Sequence, residues 1–258
     1  FVGLFSKLSL GGIIQTAKSG NWTDSNTWIN GIQPCKTDSV LINTGDTVFI
    51  NTSLAQSSHL INKGVVYFNS QTNFLKCNET NFENGEITGT SLGSFHTESI
   101  TFSNKSILGK CHLNVSKNVI IKDSLIITSA SGAKYFGDFT NNGTLLNTGS
   151  EDINLHGNFK NNGEIKFNQG TIIFLRSAVV SGKLSVARLK LTDSLIVLGS
   201  LTVLNEIEGK GELINKGTIK LGMMNSNFKI DSLNLNFPGN ELHLIRDGQQ
   251  EMPATSFQ

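Results

Sequence analysis

The chain has 258 residues, a formal net charge of +1, only 16% charged residues and 29 asparagines. So small a net charge gives no long-range field to gather nucleic acid or an anionic membrane surface. The composition also excludes coiled coils and helical bundles, which are rich in Ala, Glu, Lys and Leu, and collagen, which needs glycine at every third position. The sequence therefore predicts neither a nucleic-acid-binding protein nor a helical one.

The opening segment, residues 1–17, is apolar but is interrupted by Lys7 and Gln15. It predicts either a signal-peptide remnant ending near Ala17 or a capping strand, and Lys7 argues against the signal. Since the chain opens with Phe1 and not with Met, we expect a processed product or a fragment that continues beyond residue 258. No apolar run reaches the roughly 18 residues of a membrane-spanning helix, so no transmembrane helix is expected.

Residues 18–50 carry a motif built from two tryptophans, a proline and two strand-like phrases. In chain order it consists of Ser19-Gly20-Asn21-Trp22, Thr27-Trp28, Gly31-Ile32-Gln33-Pro34, Asp38-Ser39-Val40-Leu41-Ile42 and Gly45-Asp46-Thr47-Val48. This motif resembles the opening signature of many large secreted β-helical proteins exported by the bacterial type IX secretion system. It is also similar to the extracellular domain family named for its eight conserved glycines. The resemblance covers about an eighth of the chain.

The resemblance implies a secreted, surface-displayed β-helix, often an adhesin or part of a longer multidomain protein. It carries over no catalytic residue, because the signature is structural. We expect Trp22, Trp28 and Pro34 to form a structural cap that covers the apolar column of the first coil, whose strand edges would otherwise be exposed. The alternative role for the two indoles is stacking against a sugar.

Short runs of β-branched and aromatic residues dominate the rest of the chain. Each is three to five residues long, as at 39–43, 47–50, 65–68, 119–121, 125–127, 171–174, 195–198 and 218–221. Val, Ile, Phe and Thr suit a pleated surface, and no apolar stretch with a period of 3.6 is long enough for a stable helix. The pattern predicts an all-β protein.

Two phrases recur along the chain. Residues 137–145 are echoed by residues 157–165, and an Asp-Ser pair precedes the runs that follow Asp38, Asp123, Asp193 and Asp231. Such repetition predicts a parallel β-helix in which each complete coil, or rung, stacks on the one before. We expect a right-handed solenoid over residues 18–258, with roughly 20 to 24 residues per rung and about ten to twelve rungs. A hairpin-based sandwich would use the same Asn-Gly turns, but without matching phrases in register.

The corner turns of the predicted rungs combine asparagine with glycine. Stacked turns should align the asparagine side chains into hydrogen-bonded ladders, and the glycines should supply a positive φ. The same register predicts that Phe139 and Phe159 stack in the core. The predicted rung-turn residues are Asn62, Gly64, Asn142, Gly143, Asn162, Gly163, Asn215 and Gly217.

Catalytic and ligand-binding patterns are missing from the sequence. The adjacent acids Glu151 and Asp152 should point to opposite faces of a strand, and the four recurrent aspartates should bond to their own turns. His96 and His112, with Cys111, form a weak candidate metal site across adjacent rungs. No nucleophile elbow, phosphate-binding loop or dinucleotide fingerprint occurs. We therefore predict no catalytic residue, no metal and no cofactor.

Two functions remain open. The first is a non-catalytic, secreted cell-surface β-helix acting as an adhesin or structural scaffold, as cargo of a type IX secretion system. Its partners would be glycans or other surface proteins and the secretion machinery, with no nucleic acid. The second is a polysaccharide-binding or polysaccharide-degrading β-helix, which would need clustered acids, an arginine and exposed aromatic rings on one face.

Overall fold

The computed structural model describes residues 12–90, 92–128, 134–222, 227–245 and 256–257. These residues form a parallel β-solenoid of about 10 rungs, which confirms the predicted fold class. Residues 1–11 of the predicted opening segment lie outside the described residues. Among the described residues, no helix is long and apolar enough to cross a membrane.

The strands are short, and two one-turn 3-10 helices, Ser25–Thr27 and Ile29–Gly31, lie in the first rung. In chain order the strands are β1 (Ile13–Gln15), β2 (Gly20–Asn21), β3 (Ser39–Ile42), β4 (Thr47–Ile50), β5 (Ala55–Asn62), β6 (Val65–Phe68), β7 (Phe74–Glu83), β8 (Glu86–Gly89), β9 (Ser94–Ser103), β10 (Lys105–Leu108), β11 (His112–Ile121), β12 (Ser124–Ile127), β13 (Lys134–Asn141), β14 (Thr144–Asn147), β15 (Ile153–Leu155), β16 (Phe159–Asn161), β17 (Glu164–Phe174), β18 (Ala178–Val180), β19 (Lys183–Leu191), β20 (Leu195–Val197), β21 (Ser200–Gly209), β22 (Glu212–Asn215), β23 (Thr218–Leu221), β24 (Phe228–Lys229), β25 (Ser232–Asn234), β26 (Glu241–Leu244) and β27 (Ser256–Phe257).

Parallel pairing between successive rungs arranges the strands in three faces. The first face contains β1, β3, the second halves of β5, β7, β9, β11 and β13, and then β16, β18, β20, β22, β25 and β27. The second contains β2, β4, β6, β8, β10, β12, β14, the first halves of β17, β19 and β21, and then β23 and β26. The third contains the remaining halves of the long strands together with β15 and β24.

The rung length varies more than the sequence predicts. Phe139 pairs with Phe159, twenty positions on, as the repeated phrase predicts. Ala178, however, pairs with Leu195, only 17 positions on, and Ile13 pairs with Ser39, 26 positions on. The first rung is long because it contains the two 3-10 helices.

Apolar side chains fill the interior because successive residues of each strand point alternately inward and outward. In β4, for example, Val48 and Ile50 are buried. The rings of Phe139 and Phe159 stack in the core with centroids 5.5 Å apart and planes 18° apart, as predicted. Each such ring removes a large apolar area from water, so the interior column is the main source of stability.

Candidate functional site

The two tryptophans of the N-terminal motif pack against each other in the first rung. Their rings meet edge to face with centroids 5.3 Å apart, and the Nε1 of Trp28 donates a hydrogen bond to the carbonyl of Trp22 at 3.0 Å. The two side chains are only 4% (Trp22) and 2% (Trp28) exposed and belong to the core cluster. Pro34 lies half-buried in the connection to β3. Burial on this scale leaves no indole face for a sugar to stack on.

A buried asparagine closes several of the corner turns between the first and second faces. The Oδ1 of Asn62 accepts a hydrogen bond from the backbone nitrogen of Gly64 at 3.2 Å, and Asn215 bonds Gly217 in the same way at 3.1 Å. The Nδ2 of Asn62 then donates to a carbonyl of the next rung, that of Glu86, at 2.9 Å. One amide thus stabilises its own turn and joins it to the next rung.

In the two Asn-Asn-Gly turns the buried residue is the first asparagine, which the sequence analysis missed. The Nδ2 of Asn141 donates to the Oδ1 of Asn161 at 2.8 Å inside the solenoid. The predicted residues Asn142 and Asn162 are exposed and form a parallel outer bond, from Asn162 Nδ2 to Asn142 Oδ1, at 2.8 Å. The turn Asn62-Lys63-Gly64 could have indicated this, because its buried asparagine lies two positions before the glycine, as Asn141 and Asn161 do.

The turn glycines are needed for a different reason from the one predicted. Positive φ occurs at other glycines, among them Gly45 and Gly170, and not at Gly64, Gly143, Gly163 or Gly217. The turns instead stack so closely that a side chain has no room. A Cβ on Gly163 would lie 2.0 Å from the carbonyl oxygen of Gly143, and one on Gly64 would lie 2.3 Å from that of Asp46.

Three of the four recurrent aspartates accept hydrogen bonds from backbone nitrogens, as a structural role predicts. Asp38 accepts from the backbone nitrogen of Cys35 at 2.8 Å. Asp193 accepts from that of Ser194 at 2.7 Å, and this bond, together with the Ser177 hydroxyl, lowers the pKa of Asp193. Asp123 differs from the prediction, because it reaches the backbone nitrogen of Asn104 in the preceding rung at 3.0 Å.

The weak candidate metal site does not assemble in the structure. His96 packs edge to face on Phe74, with ring centroids 4.6 Å apart, and burial followed by the charge of Lys76 lowers its pKa. The Cys111 thiol is buried, which raises its pKa to about 11. Across the described part of the chain, no three His, Cys, Asp or Glu side chains come together as metal ligands.

Besides the capping Asp38, two charged side chains are buried among the described residues, and the sequence did not indicate that Lys134 would be one of them. Lys134 is 0% exposed and its Nζ donates to the carbonyl of Cys111 at 2.6 Å. Glu151 is 6% exposed, and neither of its carboxylate oxygens has a hydrogen-bond partner. Both charges act on the Cys111 thiol, since Lys134 lowers its pKa and Glu151 raises it. A buried, unbonded carboxylate is costly unless a nearby cation offsets it.

A shallow polar groove follows the corner between the third and first faces, and we call it the corner groove. It crosses four successive rungs, from β11 through β13 and the β15–β16 connection to the β17–β18 connection. Its polar walls and its glycine floor consist of Ser116, Lys117, Asn118, Gly137, Asp138, His156, Gly157 and Arg176.

Most of the charges in the corner groove already have local partners. Lys117 Nζ forms an ion pair with Glu98 at 2.7 Å. The Oδ1 of Asp138 accepts from the backbone nitrogen of Asn158 at 2.8 Å. Arg176 is exposed, and no acidic side chain of the described residues lies within ion-pair distance of it. The lining of the groove thus contains hydroxyl, amide, imidazole and guanidinium groups.

A groove of this kind can bind a polar ligand, whereas hydrolysis of a glycosidic bond by the common mechanism needs two carboxyl groups on either side of that bond. Among the described residues that line the groove, Asp138 is the one carboxylate.

Comparison of the chain with protein-family models, curated proteins and solved structures found no match.

Proposed function

We propose that the protein is a non-catalytic, secreted β-helix displayed on the cell surface, where it acts as an adhesin or structural scaffold. The observation that carries this proposal is the use of the recurrent polar residues. The buried asparagines and the capping aspartates bond to the backbone of their own rung or of the adjacent one. These groups stabilise the stack, so binding is assigned to the outward side chains.

The shape of the solenoid supports a role in display. About 10 rungs stacked about 4.8 Å apart give a rod roughly 50 Å long. Its sides repeat similar polar groups at the strand spacing, which suits many weak contacts whose combined affinity exceeds that of any single contact. We include export by a type IX secretion system in the proposal, on the basis of the resemblance at residues 18–50.

The alternative function, a polysaccharide-binding or polysaccharide-degrading β-helix, is favoured by one observation, the corner groove. The groove brings Asp138, His156 and Arg176 to one corner. Asp138 accepts a hydrogen bond from the backbone nitrogen of Asn158, and the described lining of the groove contains no second carboxylate. The groove therefore favours binding of a polysaccharide over its cleavage.

The proposed location is tested on intact cells that produce the full-length protein. Antibody labelling of intact cells, together with loss of the protein after mild external proteolysis, is the expected result. A cytoplasmic protein measured in the same cells is the control and should stay intact. Retention of this chain inside the cells, protected with the control, would contradict the proposal.

A further inference from the structure

We propose that two aromatic residues on the second face, Phe49 and Tyr67, bind a neutral, β-linked glucan chain that runs along the solenoid axis. We call these two residues the aromatic pair. The inference rests on the proposed function and names the ligand class that the displayed surface recognises. It depends on the position of the two rings on adjacent rungs, on the absence of other groups covering them, and on the polar and charged groups around them.

The aromatic pair lies on the outer surface of two paired strands. Phe49 of β4 is the register partner of Tyr67 of β6, and both side chains are partly exposed. Their ring centroids are 5.6 Å apart and their planes are 68° apart. The two strands pair along their whole length, so the rings are held on a rigid surface. The spacing of about 4.8 Å between strands is close to the length of one pyranose unit, so successive sugars can meet successive rings.

The other partly exposed aromatic rings are already covered. Of the Phe, Tyr and Trp side chains whose burial the structure describes, Phe74 and Phe237 are the only further ones that are not buried. Phe74 packs edge to face on a histidine ring, and Phe237 lies 4.3 Å beneath a lysine ammonium. The aromatic pair has no ring or cation contact to described residues outside the pair. A β-linked glucose unit holds its hydroxyls equatorial, so its C–H groups can pack on such rings.

Polar side chains continue the line of the aromatic pair in both directions. The strand register places Asn21 next to Phe49 and Thr88 next to Tyr67. Within the described part of the chain, the amide of Asn21 and the hydroxyls of Thr88 and Tyr67 form no hydrogen bond. These three groups can therefore exchange hydrogen bonds with the hydroxyls of a sugar chain that stacks on the rings.

The charge around the aromatic pair disfavours an acidic sugar. Among the outward residues of β2, β4, β6 and β8, all of which the structure describes, Glu86 is the one charged side chain. It is the register partner of Val65, two positions before Tyr67. At the adjacent corner, Lys63 is already paired with Glu83 at 3.2 Å. A sugar carboxylate would lose hydration here without gaining a cation from these strands, whereas a neutral chain has no such cost.

The test is calorimetric titration of the purified full chain with cellohexaose, a neutral β-linked glucan, and with an oligogalacturonate of the same length. We expect cellohexaose to bind and the acidic oligomer to bind more weakly. Phe49→Leu, which removes the ring but keeps an apolar side chain, should weaken the binding of cellohexaose by about tenfold, as loss of one stacked ring requires. Phe49→Tyr, which keeps a ring, should lose much less. Phe74→Leu is the control, because that ring is already covered, and it should bind like the unaltered chain.

Failure of cellohexaose to bind, or equal affinity of the Phe49→Leu variant and the unaltered chain for it, would overturn this inference. So would a loss in Phe49→Tyr as large as that in Phe49→Leu, or binding of the acidic oligomer as tight as that of cellohexaose. Adhesion to other glycans or to cells in any of these cases would leave the proposed function standing. Failure of the folded chain to bind any glycan or cell surface would overturn both, and far-ultraviolet circular dichroism of each variant confirms that it is folded.

Discussion

The side chain of Asn141 donates a hydrogen bond to that of Asn161 in the rung above it, with Nδ2 and Oδ1 2.8 Å apart in the interior of the solenoid. The Oδ1 of Asn141 also accepts from the backbone nitrogen of Gly143, and its Nδ2 reaches the carbonyl of Glu164. Within a low-dielectric core these bonds satisfy groups that would otherwise be costly to bury. The buried amides thus specify how one rung sits on the next.

Replacing Asn141 by Ala should lower the free energy of unfolding by about 2 to 4 kcal/mol, because more than one buried group loses its partner. Asn142→Ala is the matched control at the neighbouring, exposed position. It should change stability by less than about 0.5 kcal/mol. Urea denaturation of both variants measures the difference. Equal losses of unfolding free energy in the two variants would contradict the role given to the buried hydrogen bonds of Asn141.

Gly163→Ala should destabilise the protein by at least about 2 kcal/mol, since the new methyl group would meet the carbonyl oxygen of Gly143. Gly12→Ala is the control, because nothing lies within 4 Å of a Cβ built there. Thermal unfolding of the two variants measures the effect. An unaltered midpoint for Gly163→Ala would mean that the corner turns do not stack this closely.

Phe159→Ala should cost roughly 3 to 5 kcal/mol, because removal of the buried ring leaves a cavity next to Phe139. Lys160→Ala, at the exposed next position of the same strand, should be nearly neutral. Chemical denaturation of both variants gives the comparison. A loss below about 1 kcal/mol for Phe159→Ala would contradict its place in the core column.

The register of the core could be predicted from the sequence because the phrases at Phe139 and Phe159 repeat with their spacing unchanged. The role of the turn glycines could not be predicted from the sequence, because a close approach between rungs and a positive φ both require glycine. The buried Asn141 was missed because its exposed neighbour Asn142 is chemically identical. Which of the two points inward depends on where the strand ends.

The corner groove could not be predicted from the sequence, because its residues come from several rungs. Lys117, Asp138 and Arg176 belong to different rungs and have no common spacing. Their meeting depends on rung lengths that vary from 17 to 28 positions among the described pairings. Glu151 and Asp152 were expected to point to opposite sides, and Glu151 is indeed buried while Asp152 is exposed, but the sequence did not indicate which of the two faces inward.

The interior charges of Lys134 and Glu151 should be energetically coupled. Lys134→Met alone should destabilise the protein by about 3 to 5 kcal/mol, because it leaves the Glu151 carboxylate buried without a compensating cation. Adding Glu151→Leu should recover most of that loss. A double-mutant cycle from urea denaturation measures the coupling, and strictly additive effects would contradict it.

Thiol reactivity should separate Cys35 from the other two cysteines. Burial raises the pKa of Cys77 from 9.0 to about 12 and that of Cys111 to about 11, so both stay protonated and unreactive in the folded chain. With Ellman's reagent we expect one thiol, the exposed Cys35, to react before unfolding and all three afterwards. Cys35→Ser should abolish the native reaction, and native labelling of Cys77 would contradict its burial.

The same thiols predict a loss of stability at high pH. In the unfolded chain they lose their protons near the ordinary pKa of 9.0, whereas the folded chain keeps Cys77 protonated up to about 12. The stability that the buried, protonated thiols contribute to the folded state is therefore complete below pH 9.0. It declines as the pH rises from 9.0 towards 12. A Cys77→Ala variant should show a weaker decline in its unfolding midpoint over this range, and an identical decline would contradict the assignment.

The most direct test of a non-catalytic binding role is to measure binding and turnover on the same samples. The purified chain is incubated with a panel of plant, algal and bacterial polysaccharides, and bound protein, new reducing ends and unsaturated products are measured together. The account predicts retention on at least one polysaccharide with no product above that of heat-denatured protein. Product formation that is abolished by replacing a single Asp or Glu would contradict it.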